Sequence, residues 1–138
     1  MTIKTIAHVC LRTTDLARTR DFYCDGLGLK PAFSFTRKGE VIGFYLEVAD
    51  GNFIEVFKAE KAEGSRPENS LAHFCLETDD IEGMRRTLAE RGYAPGAVIM
   101  GADHSPQFWV EDPNGISFEF HQYTDRSAQK TGKDVELG

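Results

Sequence analysis

Two histidines and two carboxylates are the first candidates for chemistry in this sequence. His8 lies in Ile6-Ala-His-Val-Cys-Leu11 and His73 in Leu71-Ala-His-Phe-Cys-Leu76. Glu55 lies in Asn52-Phe-Ile-Glu-Val-Phe57 and Glu119 in Ile116-Ser-Phe-Glu-Phe120. All four are polar residues inside apolar, strand-like sequence, where burying an unpaired carboxylate costs on the order of several kcal/mol. A shared cation removes that cost. Two imidazoles and two carboxylates suit Zn, Ni, Fe, Mn or Co, and leave coordination positions for water or substrate oxygens. His8, Glu55, His73 and Glu119 are therefore expected to hold one divalent metal ion.

A lone strand histidine is more often structural than a ligand, so the weight rests on duplication. Residues 6–16 (IAHVCLRTTDL) and 71–81 (LAHFCLETDDI) share six of eleven positions at an offset of 65. Residues 44–57 and 108–121 match at an offset of 64, with Phe, Glu, Gly and Glu coinciding. The same two blocks in the same order describe a repeated unit. It places His8 over His73 and Glu55 over Glu119. Cys10 and Cys75 also coincide, and with the His–Glu set filling the coordination needs they are read as small core residues.

The elements that must position these residues are legible in outline. Each unit opens with a short apolar strand, at 6–12 and 71–78. A helix follows, capped by Asp15 or Asp80. Leu16, Phe22 and Tyr23 give the first helix an apolar stripe ended by Gly26 or Gly28; Ile81, Met84 and Leu88 recur in the second, with Gly92 after it. Three strands come next. The last two are joined by the turn sequences Ala49-Asp-Gly-Asn52 and Asp112-Pro-Asn-Gly115. The expected fold class is α+β: two βαβββ modules forming a curved, eight-stranded mixed sheet. Their predicted bounds are 1–62 and 71–123, with a linker at 63–70 and a polar tail at 124–138, either flexible or an arm laid on a partner.

Bulk properties narrow the function. The chain has 138 residues and a net charge of −6, which argues against nucleic acid as partner. No apolar run approaches the roughly 18 residues of a membrane span, and the N-terminus lacks a signal-peptide core. Three cysteines without framework spacing read as free thiols, and the expected location is the cytoplasm.

At this level the sequence resembles the vicinal oxygen chelate superfamily, which includes glyoxalase I, extradiol dioxygenases, methylmalonyl-CoA epimerase and the fosfomycin and bleomycin resistance proteins. The most specific pieces are His8-Val-Cys-Leu-Arg-Thr-Thr-Asp-Leu16 with Asp21-Phe-Tyr23, and Val110-Glu-Asp-Pro-Asn-Gly-Ile-Ser-Phe-Glu119. The resemblance implies paired βαβββ modules around a divalent metal, a homodimer and a small-molecule substrate. The His, Glu, His, Glu set is that of glyoxalase I-like (lactoylglutathione lyase-like) enzymes acting on a hemithioacetal of a 2-oxoaldehyde. It further implies Glu119, or Glu55, as the catalytic base and Arg12 as the contact for a substrate carboxylate. Ala59 stands where glutathione-using members carry Asn, and Gly101-Ala-Asp-His-Ser-Pro-Gln107 replaces their closing loop. The resemblance thus leaves glutathione unspecified. His104 in that loop is a candidate substrate contact.

Two alternatives belong to other classes. An Fe(II) extradiol-type dioxygenase would use His8, His73 and Glu119, with His104, His121 or Tyr123 as acid/base. A resistance-type module would bind a small molecule without catalysis.

Overall fold

A computed structural model describes residues 1–138. The chain divides into two compact units, Met1–Glu63 and Gly64–Gly138. In the first, β1 (His8–Thr13) leads into α1 (Leu16–Arg20), which continues as a π-helical segment, Asp21–Gly26. Then come β2 (Lys30–Arg37), β3 (Glu40–Ala49) and β4 (Asn52–Lys58). The second unit repeats the plan with β5 (Phe74–Glu77), α2 (Ile81–Glu90), β6 (Ile99–Met100), β7 (Pro106–Glu111) and β8 (Ser117–His121). The α+β class, the eight strands and the βαβββ order all stand. The strands form two four-stranded sheets, ordered β1-β4-β3-β2 and β5-β8-β7-β6, rather than one continuous eight-stranded sheet.

Alternation explains how each sheet is built. In β4, Ile54 and Val56 are buried, as are Phe44 and Leu46 of β3, while Phe53, Glu55 and Phe57 point to the opposite face. Phe22 and Tyr23 are fully buried in the first unit. Adjacent side chains lie about 100° apart around an α-helix. Widening the turn to i→i+5, seen in Leu27 N–H donating to the Phe22 carbonyl at 3.0 Å, helps both aromatics reach the core. In the second unit Phe108, Val110, Phe118 and Phe120 are buried together with Ile81 and Leu88 of α2.

The helix caps form as the sequence requires. Asp15 accepts from Arg18 N–H at 3.0 Å and Asp80 from Gly83 N–H at 2.9 Å. In the second hairpin Asp112 accepts from the amides of Asn114 and Ile116, and Gly115 takes φ +77°, which suits glycine.

One pairing sets the site. The first strand of each module lies parallel to the last: β1 against β4, and β5 against β8. That closure brings residues far apart in sequence onto one face of one sheet. It also limits the opening strands, which run only where their partner does. His8 is the first residue of β1, and His73 lies just before β5. Neither is mid-strand, as the apolar pattern had suggested.

Residues after Tyr123, expected to be a flexible tail or an arm laid on a partner, return to the second unit. They form the short helix α3 (Ala128–Thr131). Ser127 and Ser105 are both fully buried, with a hydrogen bond of 2.8 Å between their hydroxyls. Gln129 donates to Asp103 at 2.7 Å. No helix is long and apolar enough to cross a membrane.

Candidate metal centre

In the first unit Cys10 and Glu55 are register partners on neighbouring parallel strands, and His8 lies two residues before Cys10 on the same face. His8 Nε2 stands 4.0 Å from Glu55 Oε1, and their side chains are 43% and 18% exposed. Tyr45, on β3 beside Glu55, shares a hydrogen bond of 2.9 Å with His8 Nδ1. With Nδ1 donating, Nε2 keeps a free lone pair facing Glu55.

The second unit repeats this geometry. Cys75 is the register partner of Glu119, and His73 Nε2 lies 3.4 Å from Glu119 Oε1. Trp109 occupies the place that Tyr45 holds in the first unit, beside Glu119 on β7, with its ring edge-on to His73 at 4.6 Å. A further group is present only here. His121 Nε2 lies 3.2 Å from Glu119 Oε2, and its Nδ1 lies 3.6 Å from Asp103 Oδ2.

The structure thus brings each predicted His together with the Glu of its own module. Both separations exceed the roughly 2.7–3.2 Å of a good hydrogen bond, so neither pair satisfies itself. Imidazole nitrogen and carboxylate oxygen, poised close but unbonded, fit a divalent cation taken between them.

Arg12 and His104 remain exposed. Arg12 follows Cys10 by two residues on β1, opposite Phe57, and so shares the face of His8. His104 is in the loop before β7 at φ +63°, lining a cleft of about 260 Å³ with Ala102 and Arg126.

Several residues differ from the sequence reading. Cys10 and Cys75 are exposed and sit on the ligand face, not in the core. Strand parity gives the reason: each is two residues from its histidine and directly beside its glutamate. Desolvation of the sulfur, followed by the hydrogen bond to Glu55, raises the Cys10 thiol above its ordinary range. Desolvation and the Glu119 charge push Cys75 up to about 12. His121 is on an interior strand, between β5 and β7. Tyr45 and Trp109 were missed as site residues. Their signal was their coincidence in the repeat, which only the cross-strand register turns into a position beside the histidines.

A family model described as Glyoxalase/Bleomycin resistance protein/Dioxygenase superfamily matches residues 5–120. No curated protein sequence matches the chain. Among solved structures, a glyoxalase family protein from Enterococcus faecalis is 24% identical, with a TM-score of 0.74 over 88% of this chain and 99% of that one. A lactoylglutathione lyase from Agrobacterium tumefaciens is 17% identical, with a TM-score of 0.66 over 88% and 96%. The fosfomycin resistance protein FosX from Listeria monocytogenes is 14% identical, with a TM-score of 0.70 over 89% and 96%. At these identities the likeness establishes the fold.

Proposed function

Because the chain belongs to the glyoxalase/bleomycin resistance protein/dioxygenase superfamily, we propose that it is a divalent-metal-dependent, glyoxalase-like lyase or isomerase. Its substrate has two vicinal oxygens, as in a hemithioacetal of a 2-oxoaldehyde. The observation that carries this reading is the duplicated His–Glu pair, His8 with Glu55 and His73 with Glu119. His8 and Glu55 would be the metal ligands of the first module, and His73 and Glu119 those of the second.

A cation held by these residues, Zn, Ni, Fe, Mn or Co, would supply Lewis-acid stabilisation of negative charge developing on the substrate oxygens. Glu119 takes a proton from the carbon beside the carbonyl and returns it to the neighbouring carbon, so no atoms are gained or lost. Its carboxylate is 13% exposed, which limits exchange of that proton with solvent. Glu55 is the second candidate base. Arg12, on the face of His8, offers a guanidinium to a substrate carboxylate, and His104, in the loop before β7, is a candidate substrate contact.

Glu119→Gln tests the assignment. Turnover of methylglyoxal hemithioacetals should fall about 10³-fold, within the span typical of a lost general base, with metal content at least partly retained. Full activity in that variant removes Glu119 from the mechanism.

The dioxygenase reading keeps some support from His121, which sits beside Glu119 and places its ring 5.9 Å from that of Tyr123. Oxygen uptake with a catechol substrate would favour it over isomerisation, which consumes none. Purification with well under one equivalent of metal would favour the binding module. The same proposal includes a homodimer, supported by Phe33 and Val41, each 51% exposed in the first unit.

A further inference from the structure

The two modules differ at one donor position. Sixty-four residues before His121, the first module carries Phe57. Its site face therefore reads His8, Cys10, Glu55, Phe57, whereas the second reads His73, Cys75, Glu119, His121. An aromatic filler in one copy is a ligand-capable imidazole in the other.

His121 is 7% exposed, and neither ring nitrogen makes a hydrogen bond. A buried imidazole whose nitrogens face carboxylates without making a hydrogen bond is costly unless another group completes it. Its Nε2 points toward Glu119, and the donor atoms of Cys75, Glu119 and His121 all lie within 4.8 Å of one another. Behind the ring, Asp103 faces Nδ1 and is itself held by Gln129 and by the Ser105 amide at 3.1 Å. A carboxylate behind an imidazole is the outer-shell arrangement that fixes the tautomer of a metal-binding histidine. Glu119 offers Oε1 to His73 and Oε2 to His121, so its carboxylate serves two sides.

We propose that Cys75, Glu119 and His121 form a thiolate-containing site for a divalent transition metal, held wholly within the second module, with Asp103 orienting His121. Three protein donors are the number used by catalytic zinc centres, and leave a position for solvent or a ligand. The sulfur donor selects Zn or Co over Mn and Mg. Binding releases the Cys75 proton to solvent. This site goes beyond the glyoxalase reading, since it needs none of His8, Glu55 or His73.

Cobalt(II) titration of the metal-stripped full chain tests it, because thiolate ligation gives a sulfur-to-cobalt charge-transfer band in the near ultraviolet. The band should appear, and should persist in His73→Ala, in Cys10→Ala and in the double variant His8→Ala/Glu55→Ala. It should vanish in Cys75→Ser, and His121→Phe, the first module's own residue, should weaken cobalt binding more than tenfold. Asp103→Asn should weaken it by roughly 10–100-fold, the range for outer-shell partners. Far-ultraviolet circular dichroism checks that each variant is folded. Cobalt bound without the band, or a band lost with Cys10 rather than Cys75, overturns the proposal. The two readings fail separately. A band without hemithioacetal turnover upholds this site and rejects the lyase, whereas turnover without a band does the reverse.

Discussion

Glu55 and Glu119 are equivalent in the repeat but not in their surroundings. Glu55 faces His8 and lies beside Cys10; Glu119 has an imidazole at each oxygen. Their identities were legible in the sequence because a buried-looking carboxylate at matched positions is improbable without a partner. Tyr45 and Trp109 were not, since an aromatic in a strand looks the same whether it fills a core or flanks a ligand. The cysteines were misjudged for a related reason: small size reads as core, while exposure depends on strand parity. Burial and the Glu119 charge hold the Cys75 thiol up to about 12, so the metal-free protein carries almost no thiolate there at neutral pH. Because the folded-state value is raised, the contribution of this group to stability is complete below about 9 and is lost as pH rises toward about 12. In metal-stripped protein, alkylation of Cys75 by iodoacetamide at pH 8 should run at least tenfold slower than that of a free cysteine, as mass spectrometry of the labelled peptide would show. Equal rates would remove the inferred environment.

At the scale of elements, caps and turns followed from sequence and strand starts did not. Asp15 and Asp80 cap because their short carboxylates reach the second or third free N–H, a purely local matter. Ile6 and Leu71 extended the apolar pattern, yet both are exposed, at 75% and 77%. The opening strands begin only where β4 and β8 offer partners, which no local pattern encodes. The region after Tyr123 escaped for the same reason. Its polar residues look like a tail, but Ser127, Ala128 and Gln129 complete hydrogen bonds of the 103–105 loop. Removing residues 124–138 leaves the buried Ser105 hydroxyl and one Asp103 oxygen short of partners. It should lower stability by about 1–3 kcal/mol, measured as a shift in urea midpoint. An unchanged midpoint would mean that this segment is dispensable to the fold.

For the whole molecule, duplication was the most informative property, since it converted four residues into two copies of one pair. It could not show that the strands would form two sheets, because repeat spacing is silent about which edges pair. The half-exposed Phe33 and Val41 are apolar surface that self-association would cover. The proposed homodimer predicts a solution mass twice the 15.4 kDa of the chain, and sedimentation equilibrium would measure it. A single-chain mass at all concentrations would reject that part of the reading.

The parallel pairing of first and last strands has a consequence for the cation itself. His8 and Glu55 are 47 residues apart in sequence, and His73 and Glu119 are 46. A cation gripped by both ends closes almost an entire module into a ring. It acts as a reversible cross-link, subtracting disorder from the unfolded chain much as a covalent staple would. The proposed ion would then be at once part of the chemistry and the clasp of the fold.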